Sequence, residues 1–179
     1  VNGLKSMAVN LKRTDPSGWE KDKSPKKGTE KIVYELHVKE FSYDKSGGFP
    51  LEYRGKYKAF TCKHTTLNND GIHPTGLDYL KELGVTHIQI MPMYDYGSVD
   101  ETDDSEFNWG YDPLNYNVPE GSYATDAFHG EVRITEMKEM IQAIHEAGFG
   151  VIMDVVYNHT YYLDSWFQRT LPWYFYRVF

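Results

Sequence analysis

Three short runs along the chain carry the composition of strands. Residues 31–38 are rich in β-branched and aromatic side chains and predict a strand. Residues 85–91 predict a second, closed by Pro92. Residues 149–156 are apolar apart from Asp154, the pattern of a parallel strand covered on both faces. Two helical patterns lie between them. Thr75 to Gly84 offers Thr75 as N-cap, Asp78 three residues on as in a capping box, and Gly84 as the left-handed stop. Ile134, Met137, Met140, Ile141, Ile144 and Ala147 recur at gaps of three and four, one apolar stripe stopped by Gly148. Strand, helix, strand, helix, strand predicts a parallel α/β sheet. From Tyr157 onward the chain is aromatic and irregular.

The connections are unequal. The helix-to-strand joints are one or two residues long, whereas the strand-to-helix joints, 39–74 and 92–132, are extended. In barrels and open α/β sheets these joints all emerge at the C-terminal ends of the strands, the face that holds the site. Long joints inside a compact domain are rarely idle.

Charge and composition narrow the reading. Residues 1–31 hold eight basic against four acidic residues, and the remainder eleven against twenty-two. The basic stretch is poor in apolar residues and broken by Pro16, Gly18, Pro25 and Gly28, so residues 1–30 read as a linker or the tail of a preceding domain. A nucleic-acid arm is the alternative, but a net charge of −7 argues against nucleic acid as a partner. No apolar run approaches twenty residues, and no charged-then-apolar leader opens the chain, so neither a membrane span nor a secretory signal is expected. The single cysteine, Cys62, excludes a disulfide framework and a multi-cysteine zinc site. Aromatics make up 16% of the chain, enough to ask whether some rings face a ligand rather than the core.

Two constellations carry candidate chemistry. Asp154, Asn158 and His159 converge where the third strand ends. They read equally well as a structural ion pair with a capping histidine or as part of a site. Phe107, Asn108, Trp109, Gly110, Tyr111, Asp112 and Pro113 fall late in the second long joint. Aromatic rings separated by Asn, Gly and Asp suit a pyranose, whose C–H face meets a ring while a carboxylate accepts its hydroxyl protons. A packed aromatic loop is the plainer reading. Asp100, Glu101, Asp103, Asp104 and Glu106 lack the spacing of a calcium loop and read as a solvated segment. No phosphate-binding glycine motif, nucleophile elbow or paired histidine ligand set is present. Residues 158–160 match a glycosylation acceptor, a three-letter match too common to carry weight.

At these residues the sequence resembles a known family. Residues 154–159 (DVVYNH) resemble the first of the short motifs shared by the α-amylase superfamily of glycoside hydrolases. Residues 108–113 (NWGYDP) are similar to the stretch that marks type I pullulanases, which usually begins with Tyr where this chain has Phe107. Residues 34–38, 84–89, 91–92 and 116–123 also resemble that family, and residues 6–9 and 18–19 resemble the end of the β-sandwich region that precedes its barrel. The resemblance implies an α/β fold, a (β/α)8 TIM barrel of which residues 31–179 hold about the first three βα units. It implies a retaining enzyme that cleaves α-1,6-glucosidic linkages in pullulan, starch or glycogen.

On that resemblance Tyr111 is the stacking platform at the cleavage subsite, Asp112 binds in the same subsite, and His159 hydrogen-bonds the sugar. Asp154 pairs with an Arg on the fourth strand, and Trp109 and Asn158 support the site. The family's nucleophilic Asp, general-acid Glu and third essential Asp lie on strands four, five and seven, beyond residue 179. The piece alone is therefore expected to be inactive and to require the rest of its barrel. An α-glucan is the implied partner, with no cofactor required and no metal ligand assigned; a structural calcium is compatible with the family but not indicated. The alternatives are another α-glucan hydrolase of isoamylase type and a non-catalytic glucan-binding module.

Overall fold

Three four-residue strands form the expected parallel sheet. In the computed structural model, which describes residues 6–177, β1 (Val33–Leu36), β2 (His87–Ile90) and β5 (Gly150–Met153) run in the order β1-β2-β5, with β2 central. The register pairs Val33 with His87 and His87 with Gly150, so all three strands end on one side. Each strand is shorter than its pattern predicted. Asp154 consequently falls just past β5, half-buried, with its N–H still donating to the Ile90 carbonyl (3.0 Å). The expectation that the third strand is covered on both faces fails for Met153 and Val155, which are exposed, whereas Val156 is buried.

Helices α1 (Gly76–Glu82) and α2 (Gly130–Glu146) both close as the glycines predict. The N–H of Gly84 reaches the Lys81 carbonyl and that of Val85 the Leu80 carbonyl; Gly148 and Phe149 repeat this on His145 and Ile144. These are Schellman closures, and both glycines adopt the positive φ that the motif requires. The chain then enters the next strand directly, which explains the short joints. The capping box on α1 does not form. Thr75 Oγ1 instead hydrogen-bonds with the Gly47 carbonyl (2.7 Å) and Thr65 Oγ1 (2.8 Å), while Asp78 accepts from the N–H of His64 (3.0 Å). Long-range partners in the 39–74 joint outcompete the local cap.

Helix α2 begins four residues before its apolar stripe. Met140 and Ile144 are wholly buried in the core with Ile88, Ile90, Val38, Phe60 and Phe149. The first turns are buried too, but by charged residues. Arg133 forks onto Glu101 (2.8 and 2.7 Å), and Glu136 accepts the N–H of Thr125 (2.8 Å). Glu101, 3% exposed, therefore departs from the solvated acidic segment expected around it. Removing one partner of a buried pair strands the other charge, so Glu101→Gln is expected to cost about 3–5 kcal/mol of stability. A denaturant midpoint unchanged from the parent would contradict this.

The joint between β2 and α2 contains a hairpin that the patterning missed. Strand β3 (Tyr94–Tyr96) pairs antiparallel with β4 (Pro113–Pro119) through Tyr94–Pro119, Asp95–Asn115 and Tyr96–Pro113, with bulges between. The loop joining them, 97–112, carries the aromatic motif. A last short helix, α3 (Trp166–Thr170), is capped by Ser165.

The stretch read as a linker is anchored over part of its length; residues 1–5 lie outside the described residues. Lys138, Gln142 and His145, one face of α2, bond Asp15 (2.6 Å), the Ser17 carbonyl (3.1 Å) and Asp22 (2.8 Å). Short 3-10 turns at Leu11–Thr14 and Trp19–Lys21 shape this segment.

Candidate active site

The loop 97–112 and the segment after β5 meet at the C-terminal ends of the strands. Tyr111 joins them. Its hydroxyl donates to Asp154 Oδ2 (2.6 Å), and its carbonyl accepts from His159 Nε2 (2.7 Å). Asn158 Nδ2 donates to His159 Nδ1 (3.0 Å), which leaves the ring proton on Nε2. The Tyr116 hydroxyl donates to the His159 carbonyl. Tyr111, held at its hydroxyl and its carbonyl, remains 43% exposed. Its bond to Asp154 pushes the hydroxyl pKa up to about 12, so the group stays a donor across neutral pH.

Asp112 faces inward from the same loop. Its Oδ2 accepts from Ser98 Oγ (3.0 Å) and Asn108 Nδ2 (3.1 Å), while Oδ1 is buried with no hydrogen-bond partner among the described residues. Asn108 also donates to the Gly97 carbonyl (3.0 Å) and accepts the N–H of Gly110 (2.8 Å). Trp109 is half exposed and packs edge-on against Phe107, with ring centroids 5.1 Å apart. Asn158 and His159 also border a cleft of about 460 Å³ with Tyr116, Tyr157, Phe167 and Phe175. The structure thus brings Trp109, Tyr111, Asp112, Asp154, Asn158 and His159 to one rim. The first partner of Asp154 in this chain is a tyrosine hydroxyl.

Sequence reasoning missed the lysines that fix the base of this loop. Lys39 Nζ donates to the carbonyls of Asp104 and Glu106, and Lys56 Nζ to the Asp104 carboxylate (2.6 Å) and the Ser122 carbonyl (2.8 Å). Nothing in the local pattern marks a lysine that is buried by a distant loop.

Asp95, Glu101 and Glu120 are the described acidic residues that gather closely enough to share a cation, with carboxylate oxygens within 4.8 Å of one another. Their oxygens are already engaged: Glu101 by Arg133, Asp95 by Asn115, and Glu120 by the N–H groups of Tyr96 (3.1 Å) and Ser122 (2.8 Å). Burial, with the charge of Asp95 adding to it, pushes Glu120 up to about 7. Folded Glu120 therefore keeps its proton to about pH 7, whereas its ordinary value is 4.5. Its contribution to stability falls as pH rises through that window and is level above it. Asp95→Asn is expected to move the Glu120 titration downward, read from its carboxyl carbon shift against pH; an unmoved titration would contradict the coupling.

Comparison with known proteins places the chain in a family. The family described as alpha amylase, catalytic domain, matches residues 63–173. A pullulanase of Bacillus subtilis (strain 168) is 39% identical over 99% of this chain and 24% of its own length. The chain thus spans about a quarter of that curated relative. Among solved structures, the pullulanase of Paenibacillus barengoltzii in complex with maltohexaose and α-cyclodextrin is similar at a TM-score of 0.92 and 46% identity, over 99% of this chain and 28% of that one. The pullulanase of Anoxybacillus sp. LM18-11 complexed with maltotetraose gives 0.87 and 39%, over 99% and 26%.

Proposed function

Because this chain belongs to the family of α-amylase catalytic domains, we propose that it supplies part of the glucan-binding face of a debranching glycoside hydrolase. The enzyme cleaves α-1,6-glucosidic linkages in pullulan, starch or glycogen with retention. Residues 31–179 form the first three βα units of its (β/α)8 barrel, and residues 1–30 join that barrel to a preceding region. The observation that carries the reading is Tyr111, fixed by Asp154 and His159 yet presenting its ring to solvent at the C-terminal ends of the strands. A pinned, exposed ring is a platform with little entropy left to lose when a sugar stacks on it. The names of the relatives support the reading, as do the maltooligosaccharides in two of the solved ones.

Each side chain then has a task. Tyr111 stacks against the pyranose at the cleavage subsite. Asp112 accepts a sugar hydroxyl in the same subsite. His159 donates from Nε2, either holding the Tyr111 carbonyl or turning to the sugar. Asp154, Asn158 and Trp109 support these three. Retaining hydrolysis needs two carboxylates facing each other across the bond. Asp154 bonds Tyr111, and Asp112 bonds Ser98 and Asn108; the resemblance to the family assigns the nucleophile and acid to later strands of the barrel. No cofactor enters this scheme. Digestion of pullulan by the full-length protein tests it. Maltotriose as the product is expected; panose, or no cleavage, would overturn the reading.

A further inference from the structure

One buried titratable group near the site has no part in that scheme. His37 follows β1, is 4% exposed, and lies beneath the recognition loop. Its Nδ1 accepts the N–H of Lys39 (3.2 Å) and of Glu40 (3.4 Å), so the ring proton resides on Nε2. That N–H is directed at the Asn108 carbonyl (2.8 Å) and the Tyr123 hydroxyl oxygen (2.9 Å). The rings of Phe107 and Trp109 pack on it at centroid distances of 4.8 and 6.2 Å. Asn108, so held, gives its side chain to Gly97, Gly110 and Asp112. A chain of hydrogen bonds therefore leads from the end of β1 to the Asp112 carboxylate. Burial lowers the His37 pKa from its ordinary 6.5, with the Asn108 carbonyl opposing, in keeping with a neutral ring.

We propose that His37 is a positioning residue for substrate recognition: by donating from Nε2 to the Asn108 carbonyl it fixes residues 107–112 on the end of β1 and sets where Tyr111 and Asp112 meet the glucan. The role rests on the glycosidase reading of that loop. A histidine that only filled the core would not need its two nitrogens divided between its own turn and a loop about seventy residues away.

The test compares His37→Asn with His37→Gln in the full-length protein. Asparagine keeps an acceptor for the N–H groups of the following turn but is too short to reach Asn108. Glutamine extends an amide N–H to about the place of Nε2. His37→Asn is expected to raise KM for pullulan about tenfold with kcat changed less than about threefold, and His37→Gln to recover most of the loss. Hydrogen exchange at Gly97 and Gly110, whose N–H groups bond Asp112 and Asn108 within the loop, is expected to quicken in His37→Asn alone. Equal KM in all three proteins, or equal losses in both variants alongside a lower Tm, would overturn the positioning role and leave the glycosidase reading standing. If the unaltered protein does not cleave pullulan, the glycosidase reading falls and the positioning role falls with it. Exchange at Gly97 and Gly110 then decides the tether alone, and unchanged rates would overturn it.

Discussion

His159→Ala in the full-length protein is expected to lower kcat/KM on pullulan by roughly two to three orders of magnitude, with the fold intact. The residue is exposed past the end of β5, so its loss opens no cavity. It removes a directed N–H instead. Asn158 occupies Nδ1 and leaves Nε2 as the donor, and that donor holds the carbonyl of Tyr111, whose ring is the proposed platform. Small misplacements of such a group cost rate far out of proportion to their energy in the ground state. A donor that turns to the sugar as charge develops contributes more in the transition state than in the bound substrate. Asn158→Ala is expected to act in the same direction but less, because it frees the tautomer without removing the ring. Activity within about threefold of the parent in His159→Ala would remove the residue from the site.

Tyr111 is expected to separate ring from hydroxyl. Tyr111→Ala removes both the platform and the bond to Asp154 and is expected to lower kcat/KM about a hundredfold or more. Tyr111→Phe keeps the platform but leaves Asp154 without its 2.6 Å donor, and a bond to a charged group is worth about tenfold. A platform role alone would make the Phe variant nearly silent; the bond to Asp154 gives it an intermediate place. Because Asp154 holds the hydroxyl proton to about pH 12, no activity change from Tyr111 ionisation is expected across neutral pH. Equal losses in the two variants, assayed side by side on pullulan and a short branched dextrin, would show that the hydroxyl matters and the stacking does not.

The parts of the fold legible in the sequence were those that local forces determine. β-Branched, aromatic and apolar runs gave the sheet, and glycines at the required φ gave both helix ends. The residues that later form the rim were legible as chemistry, because Asn, Gly and Asp among aromatics are unusual whatever surrounds them. What escaped depended on partners far away in sequence. The start of α2 was hidden because Arg133 and Glu136 are buried by pairing with Glu101 and Thr125, and a polar-outside rule scores them as surface. Thr75 and Asp78 spelled a cap, but Gly47, Thr65 and His64 claimed them. The hairpin did leave a signal. Leu114, Asn115, Tyr116, Asn117 and Val118 alternate with the period of a strand, and bulges beside Asp95 blur its partner.

The central claim, that the loop 107–112 and the segment after β5 together form one glucan seat, is tested most directly by a crystal structure of the full-length protein with maltotriose. The expected result is a pyranose lying face-on against the Tyr111 ring, with hydroxyls within hydrogen-bonding distance of Asp112 and His159. A maltotriose bound elsewhere on the C-terminal face, with Tyr111, Asp112 and His159 untouched, would contradict it.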